Sequence, residues 1–542
     1  MGKHATNAIG GAVIAGASWL AMASSAFAAD PPPPQDAAAA LRAQVAQLIR
    51  LVQSLAERDR REIETLTTEV RALQARLDQA EAARTAGQTA ALLAAPNPPG
   101  HFTGEGARET PASASPETAE PRVVQNETHR FAFESADGRY SIGLTGVVQF
   151  DAGAYVGFHP ASPFAGPQAL SNGVNARRAR IGIAGTAMGD FGYAFIYDGG
   201  NSSDQTPRGI ETAQIIYTGL RGAAFEIGYS NTYFTLDQAT SSSDLLFLER
   251  ATPSNIATNL NAGDFRANAG ARFFGDRYWL GGYVTGPASG DSHTQTGERF
   301  GAFQRIAVQA VNGPDYSLHL GVGVDELLRA PNSGVGTPDT LTLGDQPELR
   351  IDPTALATTG PIGTAANPVT RGYVLDVETA AAWRNLFWQG EYYRYRVDRA
   401  GLANADFAGG YGEISWTLTG EHHLYNPQAG AYFRIRPRRP FSLADGGWGA
   451  FEVAGRFSYV DLGADFPSGA ALSKDPAAID GGRQRIYSLG LNWYPNDLVR
   501  LMLDYSHIDY DKANGTATSG DPLGAAVGAT ADSVALRVQV AY

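Results

Sequence analysis

The sequence predicts an all-β fold, a 16-stranded antiparallel transmembrane β-barrel with an N-terminal periplasmic α-helical coiled coil. Three observations carry the barrel. First, Val534, Leu536, Val538, Val540 and Tyr542 alternate with Ala535, Arg537, Gln539 and Ala541, and side chains that alternate across a strand give one apolar and one polar face. About sixteen segments repeat this pattern, as expected of strands that turn one face to lipid and the other to a lumen. Second, no stretch of the mature chain reaches the ~18 consecutive apolar residues of a membrane helix, so a membrane crossing must use strands. Third, 63 Gly, 23 Tyr and 24 Phe against 4 Met suit many short strands, tight turns and interfacial aromatic girdles. A soluble β-sandwich accounts for one such strand, but 542 residues are too many for an ordinary single soluble core.

Composition removes other classes. The net charge of −13 argues against a nucleic-acid partner. Without cysteine there is no thiol catalyst, Cys-based zinc site or disulfide. Only Lys3, Lys474 and Lys512 are lysines among 42 basic residues, which leaves 39 arginines. The guanidinium presents a planar donor fork to carboxylate or phosphate, although GC-rich codon usage produces the same bias.

Residues 1–28 have a basic start, an apolar run and the small-x-small site Ala26-Phe27-Ala28, the pattern of a secretory signal peptide. A proline-rich spacer follows at 29–36. In 37–82, Leu41, Val45, Leu48, Val52 and Leu55 and then Ile63, Leu66, Val70, Leu73 and Leu77 step as two coiled-coil seams, with Asp59 and Glu62 marking a stutter between them. Self-association buries that stripe, and a homotrimer would match a trimeric barrel. The alternative is a lone amphipathic helix lying on the barrel rim. Residues 83–124 lack periodicity and read as a flexible linker, and 125–542 form the barrel.

Within the barrel, alternating segments run from 140–155 and 178–187 through 387–398, 411–418, 431–436 and 449–461 to 533–542. Connections alternate between short (275–276, 495–497) and long (157–175, 231–263, 326–370, 462–482), the convention of periplasmic turns and outer loops. Turning the apolar parity outward places Arg178, Arg180, Arg266, Arg272, Arg394, Arg396, Arg434, Arg436, Arg456, Arg500 and Arg537 on the lumen face. By the same test Glu226, Asp376, Glu378, Glu452 and Asp504 face inward. Arginine rings in a pore concentrate anions; alternatively each pairs with a carboxylate on a neighbouring strand, which is expected for about half of them. Isolated histidines such as His319, His422, His423 and His507 lack ligand spacing, so neither an enzyme, a metal nor a cofactor is expected.

Several motifs resemble the phosphate-selective porin O/P family: Asn175-Ala-Arg-Arg-Ala-Arg-Ile-Gly-Ile-Ala-Gly185, Ala239-Thr-Ser-Ser with Leu248-Glu-Arg250, Leu418-Thr-Gly-Glu421 with Leu424-Tyr425, and Gly490-Leu-Asn-Trp-Tyr494. The resemblance implies a sixteen-stranded trimeric barrel in the bacterial outer membrane that conducts small anions passively. It places Arg177, Arg178, Arg250, Glu211, Gln238 and Arg350 at the constriction and anion path. Gln238 stands where phosphate-binding members carry a lysine, Val147 where they carry an arginine, and Arg350-Ile-Asp-Pro-Thr354 where they carry an arginine ladder. The resemblance therefore implies a porin for phosphate, polyphosphate or organic acids with weakened selectivity. The rival is a structural anchor in which the coiled coil reaches peptidoglycan.

Overall fold

The computed structural model describes residues 122–124, 131–160, 169–200, 209–289, 297–331, 340–464, 478–513 and 526–542. The signal peptide, the spacer, the coiled coil and most of the linker lie outside the described residues. Sixteen strands make up the wall. They are β1 (Ser141–Pro160), β2 (Gly173–Ala187), β3 (Phe191–Asp198), β4 (Gly209–Tyr217), β5 (Ala223–Asn231), β6 (Phe265–Gly275), β7 (Tyr278–Thr285) and β8 (Phe300–Asn312). The second half comprises β9 (Tyr316–Arg329), β10 (Val369–Trp383), β11 (Leu386–Arg399), β12 (Ala405–Thr417), β13 (Ala450–Ala464), β14 (Ile479–Tyr494), β15 (Val499–Ala513) and β16 (Ala526–Ala541).

Each strand pairs antiparallel with its sequence neighbours. The ring closes because β16 pairs β1 from Ala529↔Pro160 to Ala541↔Val147. Closure leaves no long unpaired edge, and inside a bilayer each unpaired backbone group would cost several kcal/mol. Below the end of β16, the short strand Ala132–Glu134 takes up the free edge of β1 by pairing with residues 141–143.

Parity follows the sequence pattern. Val534, Leu536, Val538 and Val540 are exposed on the outer face, while Ala535, Arg537 and Gln539 are buried inside. At the short-turn end the rings of Phe191, Tyr217, Phe225 and Phe273 form a chain with centroid separations of 5.1, 6.4 and 6.2 Å, an aromatic girdle of the kind that sits at a membrane interface. Tight turns suit this end: in the three-residue connection 188–190 between β2 and β3, Met188 and Gly189 both have positive φ, 57° and 84°, the left-handed region that lets a short connection reverse the chain.

Two expectations need correction. Residues 431–436 are not a wall strand. Ala431–Tyr432 only pairs with Tyr425–Asn426, inside a long excursion, residues 418–449, that breaks the short-turn rule at this end. Arg394 and Arg396 do not face the lumen either, because Tyr393 and Tyr395 on the opposite parity are fully buried. Near the outer rim the tyrosines turn inward to hydrogen-bond Glu391 and the Pro253 carbonyl, so both arginines point outward, where they pair with Asp406.

Leu536→Arg, midway along β16 on the outer face, is expected to lower folding stability in lipid vesicles by about 2–4 kcal/mol, as read by denaturant titration.

Candidate functional site

Three connections fold into the lumen. Residues 232–264 carry two helices, α1 (Leu236–Ala239) and α2 (Thr252–Asn259). Thr235 caps α1 by accepting from the Gln238 amide, and proline in the first turn of α2 fits a position whose amide would go unbonded anyway. The described part of the connection between β9 and β10, residues 340–368, contains the hairpin Leu341–Asp345 with Ala357–Ile362. Residues 418–449 enter from the opposite end.

The first connection is seated on one side of the wall. Glu391 Oε1 accepts from the Leu236 amide at 2.7 Å and Asp504 Oδ2 from the Leu248 amide at 2.7 Å. Asn492 donates to the Leu246 carbonyl at 2.9 Å, Gln539 to Ser243 at 3.0 Å and Tyr395 to Pro253 at 2.6 Å. Phe234, Leu248, Ile256 and Leu260 pack with Phe303, Val374 and Tyr395 in one buried cluster, each fully buried side chain contributing about 1.5–3 kcal/mol. Glycines make the close approach possible: a Cβ at Gly323 would overlap the Phe234 carbonyl, and one at Gly409 would come within 2.8 Å of Pro253. Inward residues of β10 to β16 are consequently covered, as are Asn175, Arg177 and Arg178 on β2 and Glu211 on β4, whereas the short-turn halves of β2 to β4 keep partial exposure.

An arginine–carboxylate network occupies the covered side. Glu249 accepts from Arg177 Nε at 2.7 Å and Nη2 at 2.8 Å, and from Arg537 Nη2 at 2.7 Å. Arg537 also holds Asp151 in a two-pronged contact of 2.6 and 2.7 Å, and Arg350 reaches Glu249 at 3.8 Å while pairing with Asp345. Burial works against charge on Glu249, yet Arg177 and Arg537 hold its carboxyl well below the usual carboxylate range. A β-bulge explains how Arg177 and Arg178 both point inward: Gln149 pairs with Arg178 and Phe150 with Ala176, leaving Arg177 as the extra residue. Arg178 has no carboxylate partner among the described residues; its Nη1 donates to Gln149 at 2.7 Å.

The remaining arginines expected in the lumen are mostly neutralised too. Arg180 meets Glu211 at 2.6 Å and Asp198 at 2.8 Å, Arg266 meets Asp325 at 2.7 Å, and Arg272 meets Glu226 at 3.1 Å. Arg456 pairs with Glu348 and stacks on Phe247. Arg500 donates instead to the Ser243 and Leu246 carbonyls. Arg250 staples the connection to itself through Asp237 and the Thr240 carbonyl. Gln238 lies fully buried in α1, its side-chain amide without a partner among the described residues. The structure therefore brings Arg177, Arg178 and Arg350 together around Glu249 and sets Glu211 beside Arg180. It withdraws Arg250 and Gln238 from solvent.

Two open cavities lie beyond this network. One of about 410 Å³ is lined by Val147, Arg180, Glu211, Ser241, Ser242, Ser243, Asp244, Asp497 and the excursion residues Phe433, Arg434 and Arg436. The other, about 620 Å³, lies at the short-turn end and shares Phe433, Arg434 and Arg436. Arg434 is neutralised by Asp244 at 2.8 Å, while Arg436 has no carboxylate partner among the described residues. The sequence reading missed Glu249, Asp151 and Arg305. Parity would have found Arg305, which faces inward between the outward Gln304 and Ile306 and binds Glu378.

A closed barrel with apolar outer parity, an aromatic girdle and connections folded into a charged lumen defines an outer-membrane porin. The chain belongs to the phosphate-selective porin O and P family, whose model matches residues 148–542. Among its relatives, an uncharacterized protein of Caulobacter vibrioides is 26% identical over 84% of this chain and 85% of its own length. Porin O of Pseudomonas aeruginosa is 23% identical over 72% of this chain and 87% of its own. The solved anion-selective porin from Comamonas acidovorans aligns with a TM-score of 0.42 at 13% identity, covering 74% of this chain and all of that one.

Gly323→Val is expected to displace residues 232–264 from the wall and change single-channel conductance. Gly455→Val, at a position on the outer parity where an added Cβ meets only Leu489 at 4.0 Å, should leave conductance unchanged; planar-bilayer recordings compare the two.

Proposed function

We propose that the protein lets small anions, among them phosphate, polyphosphate and organic acids, diffuse passively across the outer membrane with only a weak preference. The observation that carries this reading is the charge balance of the two open cavities. In the smaller cavity Arg180, Arg434 and Arg436 face Glu211, Asp244 and Asp497. In the larger one Arg384, Arg434, Arg436 and Arg438 face Asp276, Asp315 and Glu421. A pore wall so nearly balanced favours anions only slightly, because each carboxylate cancels much of its partner's field. Val147 adds to this effect by placing an apolar side chain in the cavity where a family arginine is expected. The side-chain amide of Gln238 supplies no charge.

Homotrimer formation belongs to the same proposal. The strands β3, β4, β5 and β7 are only 8 or 9 residues long. At ~3.3 Å per residue and a tilt of ~40° they span about 20 Å, less than the ~25 Å apolar band of a barrel. That low side suits contact with another protein, and the stripe at residues 37–82 would reinforce the trimer. The anchor reading, with the coiled coil at peptidoglycan, draws on the dense filling of the lumen against β10 to β16.

Single-channel recording separates the two readings, since an anchor would give no current. Removing one of the two carboxylate partners of Arg180 with Glu211→Gln is expected to shift the reversal potential in a KCl gradient towards that of chloride. An unchanged potential in a variant that still conducts would place the ion path elsewhere.

A further inference from the structure

Behind α1 the wall holds three carboxylates that ion conduction does not require. Asp376 and Glu378 face inward on β10, and Glu391 is the direct cross-strand partner of Glu378 on β11. All three are buried, and one oxygen from each lies within 4.8 Å of the others.

Their surroundings neutralise them incompletely. Glu378 accepts from Arg305 Nε at 3.0 Å and from His319 at 2.9 Å. A neutral His319 suffices for that bond, because its Nδ1 can accept from the Tyr425 hydroxyl at 3.0 Å. Glu391 accepts from the Leu236 amide at 2.7 Å, the Asp237 amide at 3.1 Å, and the hydroxyls of Tyr393 at 3.0 Å and Tyr411 at 2.6 Å. Asp237, the nearest further carboxylate on α1, is matched by Arg250. Asp376 is different: neither of its oxygens accepts from an N–H or from a hydroxyl among the described residues, although the side chain is fully buried, and its carboxyl group lies within hydrogen-bonding reach only of the Glu378 carboxylate. Three carboxylates thus face one guanidinium, an excess of two negative charges in a water-poor wall. Buried charge of that size must be met by a counter-ion or removed by protons.

We propose that Asp376, Glu378 and Glu391 form a divalent-cation site of the hard, all-oxygen kind that suits Ca²⁺. At Ca–O distances of ~2.4 Å, two ligands of one ion lie at most ~4.8 Å apart, which this cluster satisfies, and one divalent ion cancels the excess. Because Glu391 also holds the amides at the start of α1, the ion fastens the inward connection to the wall between β10 and β11. Loss of the ion leaves like charges facing each other beneath that connection and loosens it.

The full-length protein, purified in detergent and treated with a chelator, is titrated with Tb³⁺, whose emission Tyr393 and Tyr411 can sensitise. Saturable emission that Ca²⁺ displaces, and that is largely lost in both Asp376→Asn and Glu391→Gln, is the expected result. Ca²⁺ should also raise the thermal transition of the chelated wild type but not that of Asp376→Asn. Equal Tb³⁺ emission from wild type and a folded Asp376→Asn, with heat-modifiable mobility confirming the barrel, overturns the proposal. A wild-type transition that Ca²⁺ leaves unmoved also overturns it, and this arm decides alone if the variants do not fold. Either result means that protons meet the excess charge.

Discussion

A guanidinium buried between the wall and an inward connection must find a carboxylate or a set of oxygen acceptors, and the organisation of this barrel follows from that constraint. Removing one partner of a buried ion pair costs about 3–5 kcal/mol, because the other charge is left uncompensated. Arg537 on the last strand therefore bridges Asp151 on the first strand and Glu249 on the inward connection, so a single side chain spans the closing seam and positions the connection. Arg177 and Arg350 complete the surround of Glu249. Neutralisation by loop carboxylates also explains how an acidic chain can carry so many arginines without a strongly positive pore.

The connection at 232–264 converts a wide ring into a one-sided channel. Its backbone approaches wall glycines and its amides meet wall carboxylates, so the covered side behaves as a packed core while the short-turn halves of β2 to β4 keep partial exposure. On the proposed reading, ion choice is set less by the many buried arginines than by the few that line open cavities, Arg180, Arg434 and Arg436 among them. Arg434 and Arg436 come from the excursion at the short-turn end, so the excursion lines both cavities as well as filling space.

Most of the wall was legible because lipid imposes a period of two on every strand, and the final strand shows it without a break. Legibility failed where that pressure ends. Tyr393 and Tyr395 read as outward because they are aromatic, yet their hydroxyls bond inside, and this turns Arg394 and Arg396 to the rim. The alternation at 431–436 mimics a strand but serves a segment buried in the lumen. Charge partners were hidden for another reason: Glu249, Asp345 and Glu348 sit in long connections, and only tertiary folding brings them to arginines up to hundreds of residues away. The Leu248-Glu-Arg250 motif drew attention to Arg250, whereas its middle residue is the centre of the network.

The central claim is that neutralised arginines leave a weakly anion-preferring pore. Reversal potentials of the wild-type channel in KCl gradients of rising ionic strength test it most directly. The account predicts a modest preference for chloride over potassium that shrinks as the Debye length falls from ~30 Å at 0.01 M towards ~3 Å at 1 M. Cation selectivity, or a strong anion selectivity that salt does not diminish, would contradict it.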